Sequence, residues 1–331
     1  MRKAVFFAAC ALLLTTEDAF AQWSWTPQTG RFINLKKMPK ETAELQIEYA
    51  RSFLVAGNYR KALRECDKFV EYYGNDPLAA DNLFLRGEVL MAQRQWWNAA
   101  KTFQQLLANY PGSDKYDAAI KMQYELGDRF YARGEALAGK KFRFFKKKPY
   151  KRAADIYAMV VENQPFAAEA AEAQYKIGLC HFARKQFQDA AFEYKRVIED
   201  YPTTEWVKDA SYGLAMCYYK DSYSPAYDQT PSELTVNAID DFKANFPGDE
   251  KNEKLGEMRI EMRNSIAQHY LNSAKFYERR REFPAAKLYY EKIANEFADT
   301  QAVDAAKEWL EKNNGVEHVG DKYSEGIRSA L

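Results

Sequence analysis

The sequence predicts an all-α protein built from about six repeated pairs of helices. Only 15 of the 331 residues are Gly and 11 are Pro, and the abundant residues Ala, Leu, Glu, Lys and Gln favour helices. A motif with a small residue, an aromatic residue and a closing Pro recurs along the chain. No alternation of apolar and polar residues between turns indicates a sheet.

The motif has two nearly identical copies, from Gly87 to Pro111 and from Gly178 to Pro202. In both, an Ala-x-x-x-aromatic step follows the Gly, and Tyr-Pro ends the copy. The small residue lets two helices approach, the ring fills the space between them, and Pro stops the second helix. This spacing is typical of tetratricopeptide repeats, which stack into a solenoid with a right-handed superhelical course.

The small residue that opens each second helix marks six units. Its positions are Ala62, Ala99, Ala153, Ala190, Thr235 and Ala286. All five steps between them exceed the usual period of about 34 residues, which indicates slightly longer helices in each unit and insertions in two of them. We therefore assign 22–40 to an extended N-terminal segment, 41–311 to the repeat domain and 312–331 to a flexible C-terminal tail.

Residues 1–21 resemble a secretory signal peptide, with a basic start, an apolar run and the cleavage pattern Ala19-Phe20-Ala21. A lipid anchor on Cys10 is the alternative. The apolar run of the signal segment that would then precede Cys10 would be shorter than the usual ~7–15 residues. We expect export, cleavage after Ala21 and a periplasmic location, with association at the inner face of the outer membrane left open.

Charge and reactive residues exclude several function classes. A formal net charge of +1 argues against a nucleic-acid partner. The cysteines Cys66, Cys180 and Cys217 occupy core positions of the repeats, which predicts buried thiols in preference to a disulfide. The few histidines show no metal-ligand spacing, and no nucleophile motif is present. We expect no catalytic residues, no metal and no cofactor.

The second half of the chain carries irregular repeat units in a characteristic order. These units comprise an insertion at Asp228-Gln229, the helix Thr235–Phe242 with its Phe246-Pro247 end, a long helix through Met258 and Tyr270 to Arg279-Arg280, and the closing Phe297-Ala298-Asp299-Thr300. This succession, over about 150–310, resembles the BamD (ComL/YfiO) family, a component of the outer-membrane β-barrel assembly machine.

The resemblance implies a non-enzymatic periplasmic adaptor for the assembly of β-barrel proteins into the outer membrane. It implies that the C-terminal units dock a BamA-type barrel assembly protein and that the N-terminal units receive unfolded outer-membrane proteins. The alternative interpretation is a general periplasmic repeat scaffold for cell-envelope growth or division, because one fold serves many functions through different surfaces.

Aromatic residues on the first helices are candidates for a concave binding groove. These groove candidates are Phe84, Tyr124, Tyr131, Tyr175, Phe182 and Tyr218. Unfolded outer-membrane strands are rich in aromatic residues, and rings offer a large contact area at little entropic cost. The competing interpretation is that the rings pack between adjacent units.

Two basic clusters are further candidates. The basic insertion comprises Lys140, Lys141, Arg143, Lys146, Lys147 and Lys148; interleaved aromatics suit anionic lipid or an acidic partner, and a solvated insertion is the alternative. The C-terminal cluster is Arg279, Arg280 and Arg281. It either complements a helix dipole or docks an acidic partner surface through bidentate hydrogen bonds.

Overall fold

The computed structural model describes residues 23–26, 31–34, 38–138, 147–222 and 224–316. Within these ranges the chain forms one short hairpin and thirteen helices. The helices are Ala43–Val55 (α1), Tyr59–Tyr73 (α2), Ala79–Ala92 (α3), Trp96–Asn109 (α4), Tyr116–Ala138 (α5), Lys147–Asn163 (α6), Ala168–Ala183 (α7), Phe187–Asp200 (α8), Trp206–Asp221 (α9), Thr230–Asn245 (α10), Lys251–Arg279 (α11), Phe283–Glu296 (α12) and Val303–Lys312 (α13).

The N-terminal segment, predicted to be extended, contains two short strands among its described residues. Strands Trp23–Thr26 (β1) and Arg31–Asn34 (β2) pair antiparallel. Aromatic and β-branched residues favour strands, but four residues are too few for a periodic pattern to stand out. The predicted all-α repeat fold is confirmed, and among the described residues this one short pair of strands precedes the repeats.

The first twelve helices form six pairs, α1–α2 to α11–α12, and α13 follows the last. The chain divides into two compact units, one ending at Leu126 and the other beginning at Gly127, within α5. The predicted register is confirmed, because each of the six small residues that open the second helices is completely buried. These residues are Ala62, Ala99, Ala153, Ala190, Thr235 and Ala286.

Glycines on the first helices leave the space that the aromatic rings of the second helices occupy. A Cβ atom at Gly178 would lie 2.5 Å from Cε1 of Tyr194, and one at Gly87 would approach Cε1 of Phe103 just as closely. Neither position therefore has room for a larger residue unless the ring moves. In this motif, the aromatic ring of the second helix therefore packs directly against the Gly of the first helix, and the two helices lie close together.

The turn between the two helices of a pair has a recurrent backbone conformation. Gly57, Arg94, Lys185 and Arg281 have φ angles of 70°, 58°, 62° and 60°. This left-handed region is favourable for Gly and costly for other residues. Each residue directly precedes the residue that caps the second helix. The left-handed conformation therefore turns the chain back on itself within a very short connection between the two helices.

The three cysteines of the described residues are free and completely buried, as predicted. Burial raises the pKa of the Cys66 and Cys217 thiols to about 12, and it also raises the pKa of Cys180. They act as small apolar core residues. None of the helices in the described ranges has the length and apolar character needed to cross a membrane.

Candidate protein-binding surfaces

The groove candidates all lie on first helices and are half-buried. Phe84 packs on Phe103 at 5.6 Å between ring centroids, and Phe182 packs on Phe187 at 5.3 Å. Tyr131 packs on Tyr150 at 5.7 Å. Each of these rings therefore helps to hold helices together and offers only its remaining face for binding. Tyr124 lies on α5, and Tyr218 lies on α9.

Tyr175 of α7 lies between two other aromatic rings. Its centroid is 5.6 Å from that of Tyr194 and 5.3 Å from that of Trp206, with which it is stacked. Burial raises the pKa of Tyr175 to about 12. The role of the groove candidates in binding stays a prediction.

The basic insertion lies largely outside the described residues, because Lys140, Lys141, Arg143 and Lys146 belong to 139–146. Lys147 and Lys148 lie within the described residues, in the first turn of α6. Pro149 follows them within this turn, where a missing N–H costs no intrahelical hydrogen bond.

Tyr150, the last aromatic residue of this region, is buried and donates a hydrogen bond to the Glu135 carboxylate. It also packs closely against Gly134, where a Cβ atom would lie 2.7 Å from its ring. Tyr150 therefore docks on the first helix of its own pair, and the role of the basic insertion stays a prediction.

The C-terminal cluster is exposed at the end of α11. Arg279 is the last helical residue, Arg280 follows as the cap, and Arg281 occupies the left-handed turn. Arg280 Nε donates to Glu282 Oε1 at 2.9 Å, and its guanidinium carbon lies 5.4 Å from the centroid of Phe276. We call Phe276 and the three arginines the C-terminal patch; Phe276 is 45% exposed.

Sequence reasoning missed a cleft of about 260 Å³ between α6, α7 and α8, which we call the Gln174 cleft. Its polar lining consists of Asp155, Glu162, Gln174, His181, Glu193 and Arg196. Gln174 and Glu193 are 19 positions apart, as are Gln46 and Glu65 of the first pair. This repeated spacing was the available sequence signal.

Among the described residues, no group of three or more His, Cys, Asp or Glu side chains is arranged to hold a metal ion. His181 is half-buried, and burial lowers its pKa. His269 Nδ1 lies 2.8 Å from the carbonyl oxygen of Pro225, which gives it a structural contact. The signal peptide, Cys10 and most of the predicted tail lie outside the described residues.

Comparison with solved structures finds similarity to several bacterial proteins. A thermophilic tetratricopeptide-repeat protein from Thermus thermophilus is 12% identical, with 66% of this chain and 98% of that chain covered and a TM-score of 0.33. A tetratricopeptide-repeat protein from Parabacteroides merdae is 16% identical, with coverages of 81% and 97% and a TM-score of 0.32. PilW, a type IV pilus biogenesis factor, is 14% identical, with coverages of 80% and 98% and a TM-score of 0.29.

Family models give a more specific result. No curated protein matches the chain. Residues 49–114 match a tetratricopeptide-repeat model, and residues 139–321 match the YfiO model, described as outer membrane lipoprotein. The second match begins and ends close to the region of predicted BamD resemblance, which it confirms. Because it spans more than half of the 331 residues, the chain belongs to the YfiO family of outer membrane lipoproteins.

Proposed function

We propose that this protein is a non-enzymatic adaptor of the cell envelope that acts, like BamD, in the assembly of β-barrel proteins into the outer membrane. Family membership supports this role, and a periplasmic location after cleavage at Ala21 is part of the proposal. In this role the C-terminal patch docks a BamA-type barrel assembly protein. The exposed faces of the groove candidates contact unfolded outer-membrane proteins.

Exposure of the C-terminal patch is the observation that carries the docking proposal. Arg280 shares one exposed ion pair with Glu282, and such pairs contribute little stability. Within the described residues, no carboxylate lies within ion-pair distance of Arg279 or Arg281. The patch therefore has guanidinium donors left for bidentate hydrogen bonds to a partner's carboxylates, beside an exposed ring that can bury apolar area.

Fold stability alone does not account for this patch. A cation at a helix C-terminus is worth about 0.3–1 kcal/mol at an exposed site, and Arg279 by itself supplies that charge in the last turn of α11. Arg280 and Arg281 lie beyond the helix, and Arg281 adopts a backbone conformation that disfavours residues with a side chain. A partner surface gives these residues a role that the helix does not require.

Charge reversal tests the docking surface. We expect Arg280→Glu with Arg281→Glu to abolish co-purification of a BamA-type barrel protein from solubilised membranes, because the patch would then repel a partner's carboxylates. The matched control is Arg60→Glu with Lys61→Glu, an adjacent exposed basic pair in α2 with the same change in charge. Circular dichroism should show that both variants fold.

The outcomes separate the candidate functions. Normal recovery of the barrel protein with the patch variant would remove these arginines from the interface. Recovery of cell-growth or division components by the unmodified protein, without a barrel protein, would favour the general envelope scaffold. Equal loss in both variants would show that overall charge, and not the C-terminal patch, controls the interaction.

A further inference from the structure

Gln174 presents an unused hydrogen-bond acceptor in the Gln174 cleft. Its side chain is completely buried, and its Nε2 donates to the Glu193 carboxylate. Its Oε1 has no hydrogen-bond partner among the described residues. A buried acceptor that is left unsatisfied costs about 1–3 kcal/mol, so this site gains stability from any ligand that supplies a donor.

The first pair shows what fills the corresponding position. Gln46 Nε2 donates to the Glu65 carbonyl oxygen at 2.8 Å and to Glu65 Oε2 at 3.1 Å. In contrast to Gln174, Gln46 Oε1 accepts a hydrogen bond from the backbone N–H of Lys40 at 2.8 Å. The same Gln–Glu arrangement is therefore completed in the first pair by the backbone of the segment that precedes α1.

Helix length explains why the fourth pair lacks this partner. Lys40 O accepts a hydrogen bond from the Tyr73 hydroxyl, and Pro165 O accepts one from the Tyr201 hydroxyl, so the two turns correspond. Lys40 precedes Gln46 by six residues, whereas Pro165 precedes Gln174 by nine. The extra three residues add nearly one helical turn, which carries the preceding backbone away from the Gln174 amide.

Charge defines what the cleft can accept. Its lining holds the carboxylates of Asp155, Glu162 and Glu193 against the single guanidinium of Arg196. Arg196 Nη1 lies 3.5 Å from Glu193 Oε2, and Lys151 Nζ lies 3.3 Å from Asp155 Oδ2. Glu162 is exposed at the rim, and burial lowers the pKa of His181, which favours its neutral form.

We propose that the Gln174 cleft binds the side chain of an arginine from an extended segment of a partner polypeptide. The guanidinium donates to Gln174 Oε1, and the carboxylates of Glu162 and Glu193 balance its charge. Arginine fits better than lysine, because its planar group carries five donors and is weakly hydrated. The apolar part of the lining, including Val161 and Ile177, accommodates the methylene stem.

A small-molecule titration tests the chemistry directly. The probe is N-acetyl-L-arginine methylamide, and N-acetyl-L-citrulline methylamide is its uncharged analogue of nearly equal shape. Binding to the full mature chain is followed by NMR through the side-chain amide of Gln174, assigned by its loss in Gln174→Met. We expect saturable shifts with the arginine probe and about tenfold weaker binding of the citrulline probe, as for loss of a charge-assisted hydrogen bond.

Matched variants separate the cleft from general electrostatics. Glu162→Gln should weaken arginine binding by about two- to fivefold, the range of an exposed ion pair. Glu169→Gln, which changes another exposed carboxylate, on α7 and outside the lining, should leave it unchanged. Equal binding of both probes, equal weakening in both variants, or no shift of the Gln174 amide would overturn the proposal. None of these results depends on whether a barrel protein docks at the C-terminal patch.

Discussion

The fourth and sixth pairs bury an equivalent tyrosine by different means. Tyr194 of α8 lies between two glycines, where Cβ atoms at Gly178 and Gly213 would approach its ring to 2.5 and 2.7 Å. Tyr290 of α12 instead stacks on Trp309 of α13, with 4.5 Å between ring centroids. Both tyrosines are almost completely buried.

This difference shows how an array of repeats ends. Inside the array, the next pair contributes the first helix that covers the ring, and glycines let the backbone approach it from both sides. The sixth pair is followed by the ten-residue helix α13, which covers its ring with one large side chain, as expected of an atypical terminal unit. The stability of the inner site, around Tyr194, should therefore fall when atoms are added. The stability of the terminal site, around Tyr290, should fall when atoms are removed.

The largest effect is expected at the terminal site. Trp309→Ala should lower the free energy of unfolding by about 3–5 kcal/mol, because it removes a buried aromatic side chain and uncovers Tyr290. Urea denaturation followed by circular dichroism measures this change. Lys307→Ala, an exposed change on the same helix, should stay within about 0.5 kcal/mol of the unmodified protein. Similar midpoints for both variants would mean that α13 does not cap the array.

An added methyl group tests the inner site. Gly178→Ala should destabilise the protein by about 1–3 kcal/mol through overpacking against Tyr194. Gly256→Ala in α11 is the control, because its nearest neighbour, Lys243 Nζ, would lie 3.5 Å away. Ala is the better helix former, so this control should gain about 0.5–1 kcal/mol. If both variants shift the unfolding midpoint in the same direction, the close-approach explanation fails.

The smallest effect concerns a feature that the two pairs share. Lys185 and Arg281 adopt the same left-handed turn, at φ angles of 62° and 60°. Changing either to Gly should stabilise the protein by about 0.5–1 kcal/mol. Gly removes the backbone strain of the folded state, and this gain exceeds the cost of the larger conformational entropy that Gly has in the unfolded chain. Thermal melts should show similar gains for both. Gly57→Ala should instead destabilise the protein, and a gain there would contradict the assignment.

The sequence predicted the repeat register because a single contact, between the small residue of the second helix and the facing first helix, defines it. Each small residue must touch a facing helix, so Ala99 and Ala190 could be placed without knowledge of anything distant in the chain. The role of Trp309 could not be predicted in this way, since α13 lacks the motif. The Gln174 cleft was equally hidden, because it depends on α7 beginning about one turn earlier relative to its glutamine than α1 does.

The candidate surfaces were only partly predictable for a related reason. Exposure of Arg279, Arg280 and Arg281 follows from their position at a helix end, where local sequence determines solvent contact. The half-buried state of Tyr175 depends on Trp206, which belongs to the next pair and is 31 positions away. Local spacing indicated which helix carries this ring, but only packing between pairs decides how much of it stays accessible.

The buried thiols make the protein a reporter of its own local opening. Cys66 lies in the first pair, Cys180 in the fourth and Cys217 in the fifth. Thiols react as thiolates, and complete burial with a raised pKa suppresses that form while the helices remain packed. A reagent that reacts slowly compared with reclosing would therefore modify each cysteine at a rate proportional to the fraction of time that its own pair is open. Because repeats are held mainly by their neighbours, the three rates would map stability along the chain without an engineered label.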